Sequence, residues 1–277
     1  MSEPAIHIIG HKGILGSTMT KYLCPRYTHI VHDRIDPVEP DLPGHIEGDW
    51  VINCAGALKP AIVEKGPEYA AEVNTLLPQT LSAYCEWNKL RLICFSSDCV
   101  YTGKRDIKDG GYKECDKPDA INDVYAMTKA LGEPAYGMTL RTSFIGHENR
   151  DKPRGMLGWL LSSKSQQIDG YTNCYWNGVT ALQLAKIVDT IITNSLYDYG
   201  LYHVYSPNVV TKYDICNMVN DVYNLQMRVN PVEAKSIMST EISGALNRTL
   251  DSEYDFCKHL NLPTILEQIK EQKQWRE

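Results

Sequence analysis

Tyr125 and Lys129 stand four residues apart in the stretch VYAMTKALGE, Val124 to Glu133. On an α-helix, positions i and i+4 are neighbours, so a phenol and an ammonium would project from one face and could meet. Two readings are open. The tyrosine can simply lie over an aliphatic lysine stem, which is ordinary packing. Alternatively the pair can take part in chemistry, provided that the chain also binds a cofactor or other partner for it to react with.

A second constellation bears on that cofactor. AIHIIGHKGILGSTMTKYL begins with a short apolar run, breaks at Gly10, Gly13 and Gly16, and resumes with helical spacing. Strand, tight turn and helix are expected. Glycines in such a turn let the backbone approach a pyrophosphate, and the helix N-terminus offers N–H groups and a positive dipole end. The spacing departs from GxGxxG, so the strand before and the helix after carry the argument. Cofactor contacts are therefore expected from Gly10, Lys12, Gly13, Ile14, Leu15 and Gly16.

The next apolar run, THIVHDR, ends in Asp33 and Arg34. Asp33 would accept adenosine ribose hydroxyls and repel the extra phosphate of NADP(H), whereas Arg34 would pair with that phosphate. A guanidinium turns away more easily than a strand-end carboxylate, so the balance leans slightly to NAD(H), with dual use expected. A third run, DWVINCAGAL, ends in Cys54, Ala55, Gly56 and Ala57, small enough for a cofactor to cross the strand end.

Strands alternating with helical patterns through residue 146 predict βαβ units, hence an α/β fold with a Rossmann-like, doubly wound parallel sheet. Ligands bind beyond the carboxyl ends of such strands. A helical segment from Ala61 to Asn88 is expected to break near Pro78, LRLICFSSD to be a strand, and residues 104–120 to be a surface loop. Residues 1–146 are expected to form the dinucleotide-binding domain. Residues 147–277 are expected to form a smaller, mixed α/β substrate subdomain with helices in GMLGWLLSSK, VTALQLAKIVDTIIT and KYDICNMVNDVY. One strand near 201–206 is expected to return to the first sheet.

At 277 residues, 43% hydrophobic and 22% charged, the chain reads as an ordinary soluble globular protein. Its net charge of −6 argues against a nucleic-acid or anionic-membrane surface as the main partner. Nine cysteines, odd in number and without a CxxC pair, read as reduced thiols. No metal is expected, because His29 and His32 would need further ligands. The sequence opens without the charged-then-apolar pattern of a signal segment and has no apolar run of membrane-spanning length, so a cytoplasmic location is expected.

The motifs GHKGILG, VINCAG, EVN at Glu72 to Asn74, SSDCVYTG from Ser96, VYAMTKALGE and LRTSFIG occur in the order seen in extended short-chain dehydrogenase/reductases. Within them the sequence most resembles the dTDP-4-dehydrorhamnose reductase group, and YWNGVTALQLAK and GLYHVYSP resemble that group's substrate-side segments. The resemblance implies an NAD(P)H-dependent reductase of a nucleotide-linked 4-keto-6-deoxy sugar. In it Tyr125 is the general acid. Lys129 lowers the phenol's pKa and holds the nicotinamide ribose, and Ser97, where the group has threonine, holds the substrate oxygen. Asp98 falls on the substrate side, and Asn74 and Ser96 on the cofactor side.

Two phosphates bound by an anionic protein demand local positive charge, and Arg154 and Arg248 are the expected donors, with Lys152 and Lys212 behind them. One departure stands out: between Asp33 and Asp49 there are too few residues for the usual extra helix, strand and helix. An epimerase or dehydratase on the same scaffold is a rival reading. Dehydratases of this superfamily usually set acidic residues beside the central hydroxyl, and Cys99 and Val100 follow Asp98 here, which favours reduction. A second rival is a non-catalytic, dinucleotide-binding regulatory subunit, because the regulatory subunit of methionine adenosyltransferase resembles the same group. A homodimer is compatible with either.

Overall fold

The computed structural model describes residues 4–32, 35–148, 155–234 and 246–276. The chain divides into two interleaved units, residues 1–100, 118–141 and 181–202 in the first and 101–117, 142–180 and 203–277 in the second.

The first unit is built on apolar runs that become parallel strands, buried inside the sheet and partly exposed at its edges. β1 (Ile6–Ile9) pairs with β2 (His29–His32) on one side and with β3 (Trp50–Asn53) on the other, and β3 pairs with β4 (Arg91–Ser97). β5 (Met138–Thr142) and the strand Gly200–His203 complete a six-stranded sheet in the order Gly200–His203, β5, β4, β3, β1, β2. The chain therefore steps over β1 between β2 and β3. That reversal creates a crevice at the carboxyl ends of β1 and β3, where open α/β sheets bind ligands. The short connection before Asp49 leaves β2 as the sheet edge.

Helices flank the sheet. α1 (Ile14–Leu23) lies against the helix Ala181–Thr193, and the Tyr27 hydroxyl donates to Asp189 at 2.5 Å. α4 (Leu77–Trp87) sends Leu77, Leu81 and Cys85 into a core with Ile9, Val51, Leu92 and Cys94. The helical stretch expected to break near Pro78 breaks instead at Gly66, whose φ of 93° is open mainly to glycine. It runs as α2 (Lys59–Lys65), α3 (Pro67–Ala71), a π-helical turn Glu72–Leu76, and α4. Pro78 falls in the first turn of α4, where a missing N–H leaves little unsatisfied.

One polar chain runs through the edge of this sheet. The His7 and His32 rings meet at 2.9 Å (Nδ1 to Nε2), and His7 Nε2 lies 3.3 Å from Asp49 Oδ2. Asp49 also accepts from the Ala5 and Ile46 backbone N–H groups at 2.7 and 2.8 Å. Burial pushes both histidines below the usual range.

In the second unit the helices Met156–Ser162, Lys212–Tyr223 and Ile265–Arg276 enclose a core of Leu157, Leu160, Ile215, Val219, Ile265 and Ile269. Thr211 and Asp214 close the start of Lys212–Tyr223 reciprocally as a capping box. Small sheets, among them Gln167–Tyr171 beside Arg228–Val232, cover the rest.

Candidate active site

The turn after β1 has no room for a Cβ at Gly10 or Gly16. A Cβ on Gly16 would stand 2.2 Å from the Gly10 carbonyl oxygen, and one on Gly10 would stand 2.7 Å from the Ala55 nitrogen. Gly10 also holds φ at 75°, and its carbonyl accepts from the Gly13 N–H at 2.9 Å. Gly13 is the N-cap of α1 and supplies no side-chain bond, so the first N–H groups of Ile14, Leu15 and Gly16 face outward for an anion. Only their backbone fits the expected role, since the Leu15 side chain is buried in the core. Lys12 is exposed on the turn.

At the end of β3, the Asn53 side-chain oxygen accepts from the Ala55 N–H at 3.1 Å, and the Cys54 N–H donates to the Ile9 carbonyl at 3.0 Å. Asn74, on the π turn, accepts from the Ala57 N–H at 2.8 Å and donates to the Ala57 carbonyl at 3.1 Å and to Thr128 Oγ1 at 3.2 Å. It therefore ties the Cys54–Ala57 crossing to the helix that carries the tyrosine. Such π insertions recur at functional sites. A Cβ on Gly56 would have room, at 3.8 Å from the Asn74 amide oxygen.

Tyr125 and Lys129 do lie on a helix, α5 (Val124–Leu131), capped by Asp123, whose side chain accepts from the Ala126 N–H at 3.1 Å and pairs with Lys59. Ser97 ends β4 and is buried, with its hydroxyl near enough to the Tyr125 phenol to favour the phenolate. Ser97 Oγ lies 3.3 Å from Asp98 Oδ1 and accepts from the Cys99 N–H at 3.1 Å. Lys129 Nζ donates to the Phe95 carbonyl of β4 at 2.7 Å.

Burial, reinforced by Cys99, pushes the Tyr125 phenol upward, against the effect of the Ser97 hydroxyl. The shift is opposite to the lowering expected from Lys129. Burial pushes the Lys129 ammonium downward, opposed by Cys94 and Glu133.

Ser96, expected on the cofactor side, donates its hydroxyl to Glu133 Oε1 at 2.6 Å. Arg248 lies in the second unit, its side chain beside Gly103. Asp33, Arg34 and Arg154 lie outside the described residues, as does the second-choice Lys152. Among the described residues no three His, Cys, Asp or Glu side chains group to hold a metal.

The family described as the RmlD substrate binding domain matches residues 5–260. The chain belongs to that family. Among relatives, a probable low-salt glycan biosynthesis reductase of Haloferax volcanii is 27% identical over 78% of this chain and 79% of its own length. Methionine adenosyltransferase 2 subunit beta of Xenopus tropicalis is 25% identical over 69% of this chain and 59% of that protein. Among solved structures, the dTDP-4-dehydrorhamnose reductase of Bacillus anthracis, in complex with NADP, superposes with a TM-score of 0.79 at 18% identity, covering 99% of this chain and all of the other. At that identity the likeness is one of fold.

Motif spacing does not single out two residues of this RmlD-family chain, Glu133 and Arg141, although both lie inside the motifs quoted above. Arg141, only 1% exposed in β5, forks onto Glu133 through Nε at 2.9 Å and Nη2 at 2.6 Å. An arginine within the otherwise uncharged run MTLRT is the signal that points to them, because a buried cation needs an anion.

Proposed function

We propose that this protein is an NAD(P)H-dependent reductase of a keto group on a nucleotide-linked 4-keto-(6-deoxy) sugar. The observation that carries this reading is the approach of the Ser97 and Tyr125 hydroxyls at the carboxyl end of β4, with the half-buried Lys129 one helical turn from Tyr125. The uncapped start of α1 and the glycine turn, closed to a Cβ at Gly10 and Gly16, fit the pyrophosphate of a dinucleotide. Bound nicotinamide would supply the hydride that the carbonyl carbon receives.

The chain's own groups supply the rest. Ser97 holds the carbonyl oxygen by a hydrogen bond, and Tyr125 gives its hydroxyl proton to that oxygen as charge develops there, leaving an alcohol and a phenolate that solvent reprotonates. Lys129, held to Phe95, presents its ammonium beside the phenolate and toward the cofactor's ribose. Asp98 adjoins the substrate oxygen, and Arg154 and Arg248 remain the proposed partners of the substrate's diphosphate. NAD(H) is slightly favoured, with NADP(H) also used.

Incubation with NADH or NADPH and a panel of nucleotide-linked 4-ketosugars tests the reading. One equivalent of cofactor is expected to be oxidised per alcohol formed. Conversion of a sugar without net cofactor oxidation would identify an epimerase or dehydratase instead. Cofactor binding with no conversion, together with copurification of a larger enzyme, would favour a regulatory subunit, the reading that the methionine adenosyltransferase relatives support.

A further inference from the structure

Lys129 lies in the last turn of α5 and Glu133 just past the Gly132 cap, four residues on, close enough for its carboxylate to act on the ammonium. Here each is engaged elsewhere. Lys129 Nζ donates to the Phe95 carbonyl at 2.7 Å, while Glu133 accepts from Ser96 Oγ at 2.6 Å and from Arg141 Nε and Nη2 at 2.9 and 2.6 Å. The Arg141 side chain is 2% exposed and the Glu133 side chain 15%. Every residue of β5 is buried, so an aliphatic side chain at 141 would fill the strand without the desolvation that a guanidinium suffers.

We propose that Arg141 is a positioning residue for Lys129: by holding both Glu133 carboxylate oxygens in a fork, it prevents that carboxylate from capturing the ammonium and drawing it off Phe95. The inference rests on the reading of Tyr125 and Lys129 as the reacting pair. The groups that face this pair of charges are Ser96 and Phe95 of β4, Cys94 of the same strand, and Arg141 of β5. A lysine could not replace the arginine, because a point charge lacks the two parallel donors that occupy both oxygens. With Arg141 gone, a carboxylate in a poorly hydrated site has the Lys129 ammonium as a charged neighbour, and their attraction there is stronger than at a surface.

The test compares Arg141→Met with the double variant Arg141→Met/Glu133→Gln. Two readouts apply: steady-state kinetics, and a ¹³Cε-lysine NMR titration of the cofactor-free protein in which Lys129→Met identifies the resonance. Arg141→Met is expected to lower kcat roughly tenfold or more and to move the Lys129 titration to higher pH. The double variant is expected to regain most of kcat and to return the titration toward wild type, even if it melts no higher than the single variant. A merely structural role predicts no such recovery. A double variant as slow as Arg141→Met, or an unmoved Lys129 titration in that variant, would overturn the inference. If Arg141→Met does not fold, Arg141→Gln removes the charge but keeps donors, and rescue by Glu133→Gln is expected in the same way. The titration needs neither cofactor nor substrate, so it reports on the Arg141–Glu133–Lys129 coupling even if the reductase reading fails.

Discussion

Tyr125 and Lys129 are shifted in opposite directions from their ordinary values, and in the proposed reduction that opposition sets which of them limits the rate at high pH. Reduction needs the phenol protonated and the ammonium charged. The phenol is pushed above its ordinary value of 10.0, so it keeps its proton well past neutrality. The ammonium is pushed below 10.5, so rising pH removes the lysine proton first. The alkaline fall in kcat is therefore expected to begin below pH 10.5 and to belong to Lys129. Lys129→Arg, which cannot lose its charge in this range, is expected to be slower but to carry its activity to higher pH. An alkaline limb at the same pH in both proteins would contradict this assignment. At this scale the sequence is informative where residue type suggests a role. Tyr125, Lys129 and Ser97 can be proposed from the sequence, whereas the Glu133–Arg141 fork cannot, since it joins residues eight apart only once β5 lies beside β4.

The placement of α5 depends on a contact made by a residue with no side chain. A Cβ on Gly132 would fall 1.8 Å from the Asn74 carbonyl oxygen, so the helix end and the π turn are in direct backbone approach. Gly132→Ala must part them. A loss of about 1–3 kcal/mol in urea unfolding is expected, with a fall in kcat as Tyr125 and Lys129 move off Ser97 and Phe95. Unchanged stability and rate would show that this approach is dispensable.

The β1–β2 edge makes a separate prediction. His7 and His32 are held below the ordinary 6.5, so the unfolded chain takes up protons before the folded one does. Stability is full above pH 6.5 and declines as pH falls from there toward the folded values. The urea midpoint is expected to drop between pH 7.5 and 5.5, and His32→Asn is expected to flatten that drop; equal slopes would exclude the pair as its source.

Elements of strong apolar texture, such as β1, β3, β4 and Ala181–Thr193, can be read directly from the chain. The helix Ile265–Arg276 cannot, because its buried face carries Gln268 and Gln272, at 0% and 2% exposure, beside only two isoleucines. Gln268 is satisfied internally, donating to Ser206 Oγ at 2.8 Å and accepting from the Thr180 N–H at 3.0 Å. Polar groups bonded in this way erase the apolar periodicity that would have marked the helix.

Across the whole molecule, the path from β2 to β3 is short and leaves β2 as the sheet's edge strand, and in the proposed function cofactor choice falls to Asp33 and Arg34. Asp33→Ala is expected to shift kcat/KM toward NADPH, and Arg34→Ala toward NADH. If neither changes the ratio beyond about threefold, the stretch Asp36 to Gly48 sets the choice. The central claim concerns the proton donor and is tested most directly by Tyr125→Phe, which keeps the ring and removes the hydroxyl. With a nucleotide-linked 4-ketosugar that wild type reduces, turnover is predicted to fall roughly 10²–10⁴-fold while cofactor affinity changes little. A variant that retained more than half of the wild-type rate would contradict the account.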